Sequence, residues 1–293
     1  MLDFESIIQI PTPLQQIEEE LFAEKGVEVF VKRDDLTHPF ISGNKFRKLK
    51  YNLHEAVKQG RNKLLTFGGA YSNHLSAFAF ACRAFGFQGK ALVRGGELNA
   101  GSSPTLAFAH AQGVELEFVN REAYRDKAAL SAAFSEEYFI IPEGGSNALA
   151  VRGVAELIPE IGEFDYLFTA CGTGGTLAGL ILGAPEQARL IGVSVLKNGD
   201  FLENEVEKLL LKPFPGNAEL LTGYHFGGYA RYDDELLGFI REFELRHGIA
   251  LEQVYTGKAF YAFYNLLKEG YFRRGSRVIL LHTGGLQGRL ESL

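Results

Sequence analysis

The chain has 293 residues, of which 46% are hydrophobic and 23% are charged, and its formal net charge is −6. This length fits one large domain or two of medium size, and the composition is that of an ordinary globular protein. A net negative charge provides no general attraction to nucleic acid or to an anionic membrane, so we expect neither as a partner.

Short β-rich runs alternate along the chain with longer segments of helical spacing. Residues 27–32 (VEVFVK), 63–67 (KLLTF) and 89–94 (GKALVR) are predicted to be strands. Residues 44–60 and 72–86 are predicted to be helices. The first of these ends at a glycine, a common helix stop, and the second begins with Ser and Asn.

The same alternation continues to the end of the chain. A helix is predicted at 103–113, where a proline stands near the start and a glycine at the end. The remaining predicted elements are strand 114–119, helix 121–137, strands 138–143 and 165–170, helix 176–183, and strands 189–196 and 277–283. This order predicts repeated β-α units and parallel sheets, which is an α/β fold.

Glycine pairs follow five of the predicted strands, in the stretches FGGAYSN, VRGGE, PEGGSN, CGTGGT and HTGG. Ligands of open α/β sheets bind beyond the carboxyl ends of the strands. Glycine there lets the backbone approach a ligand closely. A single pair is more simply a short turn, but five pairs at the same topological position favour a shared ligand cleft.

Residues 171–176 (CGTGGT), here called the glycine loop, follow a strand and begin a helix. Backbone N–H groups at a helix N-terminus bind anions, and the helix dipole adds to this attraction. The loop matches neither the P-loop nor the dinucleotide-binding pattern. A single phosphate ester is therefore the better fit as a ligand, while a tight turn with close helix packing explains the loop equally well.

A lysine directly after a turn, Lys45 in SGNKFRKLK (42–50), adds a second feature. A lysine amine together with a phosphate site suggests pyridoxal 5′-phosphate, whose aldehyde forms a Schiff base with lysine. Lys48 and Lys50 follow on the same predicted helix, and we interpret both as solvated surface charges.

Seven stretches carry a more specific signal and cover nearly the whole chain. They are PTPL (11–14), VKRDDLTHPFISGNKFRKL (31–49), GGAYSNH (68–74), PEGGSN (142–147), CGTGGTLAG (171–179), VYTGKA (254–259) and LHTGG (281–285). In these stretches the chain resembles fold-type II pyridoxal-phosphate enzymes, in the branch of 1-aminocyclopropane-1-carboxylate (ACC) deaminases and D-cysteine desulfhydrases. GNKxRKL with SNH is quite specific for this branch, whereas GTGGT is shared across the fold type.

The resemblance implies two open three-layer α/β domains with parallel sheets, as in the β subunit of tryptophan synthase, with the cofactor in the cleft between them. The large domain would comprise residues 1–47 and 148–293, and a small inserted domain would comprise residues 48–147. The resemblance also implies a homodimer.

Residue by residue, the resemblance implies a catalytic set. Lys45 matches the Schiff-base lysine, and Ser72 matches the serine that faces the substrate and assists proton transfer. Tyr255 matches a tyrosine packed near the cofactor ring, and Tyr229 resembles a second tyrosine of the active site.

The resemblance also implies the binding residues. Asn73 matches the contact to the phenolic oxygen of the cofactor, and Thr283 lies at the position near the pyridine nitrogen. His74 and Tyr71, with Ser72 and Asn73, are expected on the substrate side, and structural support of the SNH loop is the alternative role of His74. The phosphate is expected at Gly172, Thr173, Gly174, Gly175 and Thr176.

One position favours a particular reaction. ACC deaminases resemble VYEGK, whereas D-cysteine desulfhydrases resemble VYTGK, and this chain has Thr256. A hydroxyl at Thr283 would not strongly favour a protonated ring nitrogen, which suits elimination at the β-carbon. We therefore expect conversion of a small amino acid, D-cysteine, to pyruvate, ammonia and sulfide. Tyr71 stands where many members have Gln, which affects the choice of substrate.

Three alternatives stay open at this point: an ACC deaminase, a pyridoxal-phosphate-binding homologue with a different or weak amino-acid activity, and a cofactor-free binder of small anions. The two cysteines, Cys82 and Cys171, are too far apart in sequence for a disulfide framework, and no spacing suggests a metal site. Residues 1–13 contain no signal-like segment. We expect a cytoplasmic protein.

Overall fold

The computed structural model of the chain describes residues 2–4 and 6–293. Its strands are β1 (Leu14–Ile17), β2 (Val27–Lys32), β3 (Lys63–Gly68), β4 (Gln88–Arg94), β5 (Glu115–Val119), β6 (Phe139–Ile140), β7 (Tyr166–Cys171), β8 (Arg189–Ser194), β9 (Ala218–Leu221) and β10 (Ser276–Leu281). Its α-helices are α1 (Glu20–Lys25), α2 (Asn44–Lys58), α3 (Asn73–Phe85), α4 (Pro104–Ala111), α5 (Lys127–Phe134), α6 (Ala148–Ala155), α7 (Ile158–Ile161), α8 (Gly175–Gly183), α9 (Phe201–Leu210), α10 (Asp234–His247) and α11 (Thr256–Glu269).

The larger sheet has the strand order β1-β2-β10-β7-β8-β9. Most residues of its central strands β10, β7 and β8 are buried and apolar, because helices cover both faces. Phe243 of α10 and Phe263 of α11 belong to the core on one face. Val154 of α6 and Leu177 of α8 belong to the core on the other face. The larger sheet is therefore the middle of three layers.

The smaller sheet has the order β5-β4-β3-β6, with all pairs parallel. Leu53 of α2 and Phe78 of α3 pack in the core on one face. On the opposite face Phe67 and Leu92 form a smaller core, against which Phe134 of α5 packs. The predicted fold class, two three-layer α/β parts with parallel sheets, is confirmed.

Strand β1 is the exception to the parallel arrangement, because it pairs with β2 in the antiparallel direction. Only nine residues separate Ile17 from Val27, and they include the short helix α1. A parallel crossover needs roughly a dozen residues or more, so this connection can only return the chain antiparallel.

The two parts are joined through α2. This helix packs its Leu49 and Leu53 into the core of the smaller sheet, while its N-terminal half lies against α6. The approach of α2 and α6 is so close that a Cβ at Gly153 would overlap the Arg47 carbonyl. All four strands of the smaller sheet lie between residues 63 and 140. The domain boundaries at residues 48 and 147 stay a prediction.

None of the helices that the structure describes is long and apolar enough to cross a membrane. Across the same described residues, His, Cys, Asp and Glu side chains form no group of three or more that could hold a metal ion.

Candidate active site

A cleft of about 610 Å³ lies between the two sheets, at the carboxyl ends of their strands. Eleven of the residues predicted from the sequence line it: Lys45, Ser72, Asn73, His74, Gly172, Thr173, Gly174, Thr176, Tyr229, Tyr255 and Thr283. Gly175 lies just behind the wall, at the start of α8. The structure thus brings together residues that lie as far apart in the chain as Lys45 and Thr283.

Lys45 sits in the first turn of α2, at the wall of the cleft. Its Nζ donates to Asn44 Oδ1 at 2.8 Å, and Asn44 Nδ2 donates to Thr176 Oγ1 at 2.7 Å, so one amide connects the lysine to the glycine loop. Gly43 precedes the helix with φ 61°, and a Cβ there would overlap the carbonyl of Thr283. Burial lowers the pKa of Lys45 to about 8, and the charge of Glu252 partly opposes this shift.

The glycine loop joins β7 to α8. Gly174 adopts a left-handed conformation with φ 74°, and Gly174 and Thr176, at the start of α8, line the cleft. The amides of the first turn of α8 have no acceptors within the helix and can bind an anion. A Cβ at Gly175 would overlap the side chain of Ser146 and come within 3.0 Å of Lys48 Nζ. The glycine loop is therefore a concave stretch of backbone, here called the backbone cradle, whose space a side chain at Gly175 would occupy.

The interpretation of Lys48 as a solvated charge is wrong, because this residue is only 2% exposed. Its Nζ donates to Ser146 Oγ at 3.1 Å and to the Gly144 carbonyl at 3.3 Å. The Ser146 hydroxyl in turn lies 2.7 Å from Thr173 Oγ1 in the glycine loop. Lys50 is partly exposed and pairs with Glu156 at 2.6 Å. Lys48 follows Lys45 by three residues, about one helical turn, so the sequence indicated that both lysines lie on the same face of α2.

Two lysines therefore face one cleft, and within residues 2–4 and 6–293 neither of them forms an ion pair with a carboxylate. Burial and the neighbouring charge of Lys45 hold the pKa of Lys48 well below its ordinary value. A buried cation without a counterion is costly, and a bound anion removes that cost. The backbone cradle and the two lysines fit a ligand with a phosphate at one end and an aldehyde at the other.

Ser72 and Asn73 lie where α3 begins. Ser72 Oγ accepts the N–H of Leu75 at 3.2 Å and so caps the helix. Asn73 Oδ1 accepts from Gln287 Nε2 at 2.9 Å, which ties the cleft to the C-terminal segment. Both side chains line the cleft, Ser72 through a hydroxyl that keeps its proton available for donation.

His74 is buried and its tautomer follows from its partner. Thr66 Oγ1 donates to the Ile141 carbonyl at 2.9 Å, so at its 2.7 Å contact with His74 Nε2 it must accept. The proton is therefore on Nε2, and Nδ1 has no partner among the described residues. Burial, together with Lys45 and Lys48, lowers the pKa of His74 to about 3, so the ring is neutral.

Two tyrosines close the cleft from the side of the larger sheet. The Tyr255 ring lies over Gly172, where a Cβ would come within 3.1 Å of a ring carbon. The Tyr229 ring stands edge-on to it at 6.1 Å between centroids. Burial raises the pKa of both phenols, so both are neutral donors. Tyr229 donates its hydroxyl to the Tyr71 carbonyl at 3.3 Å, across the cleft.

The side chain of Tyr71 does not line the cleft. It is 55% exposed and lies in the turn between β3 and α3. Only its carbonyl reaches the site, through the bond from Tyr229. The expected substrate contact of Tyr71 would require this turn to move inward, and it stays a prediction.

The end of β10 and the start of α11 complete the site. Thr283 lines the cleft, whereas Thr256 is buried behind it and bonds with Glu252 at 3.1 Å. The buried carboxylate of Glu252 accepts the N–H groups of Val254 and Thr256 at 2.7 and 2.6 Å and so caps α11. Sequence reasoning missed Glu252, although an acidic residue just before a helix is a known start signal.

Comparisons with known proteins agree with this geometry. The family described as pyridoxal-phosphate dependent enzyme matches residues 6–284. A protein of Arabidopsis thaliana, named bifunctional D-cysteine desulfhydrase/1-aminocyclopropane-1-carboxylate deaminase, is 32% identical over 98% of this chain and 79% of its own length. The D-cysteine desulfhydrase of Klebsiella pneumoniae is 30% identical over 95% of this chain and 93% of its own. The crystal structure of an ACC deaminase homologue superposes with a TM-score of 0.79, at 32% identity, covering 96% of this chain and 91% of that one.

Proposed function

Because the chain belongs to the family of pyridoxal-phosphate dependent enzymes, we propose that it is a lyase that converts D-cysteine to pyruvate, ammonia and sulfide. The observation that carries this proposal is the placement of Lys45 and Lys48 opposite the glycine loop in one cleft. Among the described residues, the Lys45 amine donates only to Asn44 and forms no ion pair with a carboxylate. The backbone N–H groups of the glycine loop suit a phosphate.

The residues of the cleft would each contact a particular part of pyridoxal phosphate. The glycine loop and Lys48 would hold its phosphate, and the Lys45 amine would hold its aldehyde carbon. Thr283 would hydrogen-bond the ring nitrogen, Asn73 the phenolic oxygen, and Tyr255 would pack on the ring. When bound, pyridoxal phosphate draws electrons away from the α-carbon of the amino acid attached to it.

The side chains of this protein supply the proton transfers. Lys45, with a pKa of about 8, is available as a neutral amine and takes the α-proton of the substrate. Ser72 shares this transfer through its hydroxyl at the N-terminus of α3. The bond between the β-carbon and sulfur breaks and sulfide leaves, after which hydrolysis gives pyruvate and ammonia.

We favour D-cysteine over ACC because residue 256 is Thr, as in the D-cysteine desulfhydrases that the chain resembles, and because of the side chains around the cleft. Thr283 offers a neutral hydroxyl at the cleft, and Thr256 faces Glu252 rather than the cleft. The carboxylate of Glu252 is occupied by the backbone of α11. ACC deaminase activity is the second candidate, because the plant relative carries both activities in its name.

The test uses purified protein loaded with pyridoxal phosphate and supplied with D-cysteine, L-cysteine or ACC. We expect pyruvate and sulfide from D-cysteine, whereas ACC would give 2-oxobutyrate. Borohydride reduction followed by mass spectrometry should place the cofactor on the peptide of Lys45. Lys45→Ala should lose both that mass and turnover, while Lys50→Ala should keep both. Full pyruvate production by Lys45→Ala would disprove the assignment.

The assembly and the compartment are also proposals. The homodimer is supported by the resemblance to the family, and sedimentation of the purified protein would show whether two chains associate. A cytoplasmic location is supported by the two cysteines, Cys82 and Cys171, which are free thiols as in proteins of a reducing compartment, and fractionation of cells that express the protein would test it.

A further inference from the structure

Lys258 is a buried lysine that the proposed reaction does not use. It lies in the first turn of α11, is 0% exposed, and forms no ion pair with a carboxylate in the part of the chain that the structure describes. Its Nζ donates instead to two backbone carbonyls, those of His225 at 2.8 Å and Gly228 at 2.9 Å. Burying a charged amine costs free energy, so a residue that only packed the core would be apolar rather than a lysine.

Both carbonyls belong to one loop, residues 225–231, whose backbone is unusual. Phe226, Gly227, Gly228 and Ala230 all have positive φ, between 51° and 120°. A positive φ is uncommon for residues other than glycine and persists only where the surroundings hold it. Within the loop, Gly228 N–H donates to the His225 carbonyl at 3.0 Å and Arg231 N–H to the Gly228 carbonyl at 3.1 Å. The Lys258 ammonium therefore joins the acceptors of two successive turns.

The loop carries Tyr229 into the cleft. Tyr229 follows directly after Gly228, contacts Tyr255 edge-on, and donates to the Tyr71 carbonyl on the opposite side. Its position thus depends on the backbone of a loop whose His225 and Gly228 carbonyls accept from Lys258.

We propose that Lys258 is a positioning residue, an internal cation around which the 225–231 loop folds so that Tyr229 reaches across the cleft. The inference rests on the proposed function in one respect, because it assumes that Tyr229 contacts the substrate. It predicts that Lys258 affects the reaction through Tyr229 and not through the packing of α11.

A double-mutant cycle on the holoenzyme separates these two roles. Lys258→Met keeps the apolar stem and removes the ammonium. We expect it to lower kcat/KM for D-cysteine about tenfold in the native chain and less than about twofold in a Tyr229→Ala background. An equal loss in both backgrounds would overturn the proposal. Lys25→Met is the matched control, because Lys25 also donates to a backbone carbonyl, that of Lys268, but on the surface.

A second pair of variants keeps the test decisive if Lys258→Met does not fold. Gly228→Ala disturbs the loop from the other side, since Gly228 has φ 120°. It should also lose its effect in the Tyr229→Ala background, and independence of the two changes would count against the proposal. Gly216→Ala is its control, because no atom lies within 4 Å of a Cβ there.

A readout without substrate keeps this inference apart from the proposed function. The visible circular dichroism of the bound cofactor reports the groups around it. Lys258→Met and Tyr229→Ala should change this signal in the same way, and the double variant should add nothing. If the native protein turned over none of the substrates, the proposed function would fail, and this cycle would still decide the role of Lys258.

Discussion

Lys45 illustrates how the surroundings of one residue prepare it for chemistry. A free lysine has a pKa of about 10.4 and carries almost no neutral amine at pH 7. Burial at the cleft wall disfavours the charged form and brings the pKa of Lys45 to about 8. The neighbouring Asn44 holds the amine without a negative charge that would restore the proton.

This shift predicts the pH dependence of cofactor binding. The neutral amine reacts with an aldehyde, so the rate at which the apoprotein takes up pyridoxal phosphate should rise with pH and level off above about 8. The sign follows from the lowered pKa, because the amine gains its reactive form as the pH rises through that value. Stopped-flow absorbance of the apoprotein would measure the profile. A rate that keeps rising to about pH 10, as for an ordinary lysine, would contradict it.

Lys48 and Lys50 provide a matched pair of lysines on one helix. Lys48 Nζ lies in the cleft beside Ser146, whereas Lys50 pairs with Glu156 near the surface. We expect Lys48→Met to weaken binding of pyridoxal phosphate about tenfold to a hundredfold, because charge-assisted bonds to phosphate contribute roughly 1.5–3 kcal/mol.

The measurement is the dissociation constant of the cofactor from equilibrium dialysis, for Lys48→Met and Lys50→Met side by side. Lys50→Met should bind the cofactor as the native protein does. Equal affinities of the two variants would mean that Lys48 does not contact the phosphate.

At the level of elements, a buried ionic network around Arg47 holds the N-terminal half of α2. Arg47 bonds with Asp34 at 2.7 Å and with Glu160 at 2.9 Å, and Lys32 also bonds with Glu160 at 2.6 Å. Two cations and two carboxylates balance one another, and Thr12 adds a hydroxyl bond to Asp34 at 2.6 Å. The network joins α2 to β2 and α7, and Lys45 and Lys48 depend on this anchoring.

Removing the central cation should therefore be strongly destabilising. Arg47→Met leaves Asp34 and Glu160 buried without their main partner, which typically costs about 3–5 kcal/mol. Urea unfolding followed by circular dichroism would measure the loss. Arg121→Met, which breaks an exposed pair with Glu97, should cost less than about 1 kcal/mol. A similar small loss for Arg47→Met would show that the network does not anchor α2.

The sequence predicted the parallel strands well, because they are rich in β-branched and other apolar residues. Strand 27–32 was predicted with the bounds of β2. The helix expected at 121–137 is instead a short 3-10 turn followed by α5, because Asp126 caps α5 by accepting Ala129 N–H at 2.9 Å. The edge strands β1 and β9 were missed, since their sequences, LQQI and AELL, are short and contain few β-branched residues.

The candidate site could be predicted as far as its motifs extend. Each glycine stretch follows a strand, and parallel strands bring their carboxyl ends to one edge of their sheet, so the motifs of one sheet had to lie close together. Gly95 and Gly96 nevertheless do not line the cleft. The bond between Lys48 and Ser146 joins residues 98 positions apart, and nothing in either stretch specifies it. The bond between Lys258 and the 225–231 loop could not be predicted either. The turns of this loop need positive φ values at Phe226 and Ala230, and neither residue type predicts such a conformation.

At the scale of the whole molecule, the cleft lies between two cores that are also joined through the packing of α2 on α6. The glycine loop and Thr283 follow strands β7 and β10 of the larger sheet, whereas Ser72 and Asn73 follow strand β3 of the smaller one. A ligand held from both sides stabilises the native structure by mass action, by about 2.7 kcal/mol at a concentration 100 times its dissociation constant.

This arrangement predicts an uneven response to cofactor removal. Hydrogen exchange of the apoprotein should increase most in α3 and at the start of α8, because both helix N-termini face the cofactor. Peptides from α10, on the far face of the larger sheet, should exchange equally in both forms and serve as the internal control. Mass spectrometry of the holoprotein and apoprotein under the same conditions would measure the difference. A uniform increase across all helices would mean that the cofactor stabilises the chain without joining its two parts at the cleft.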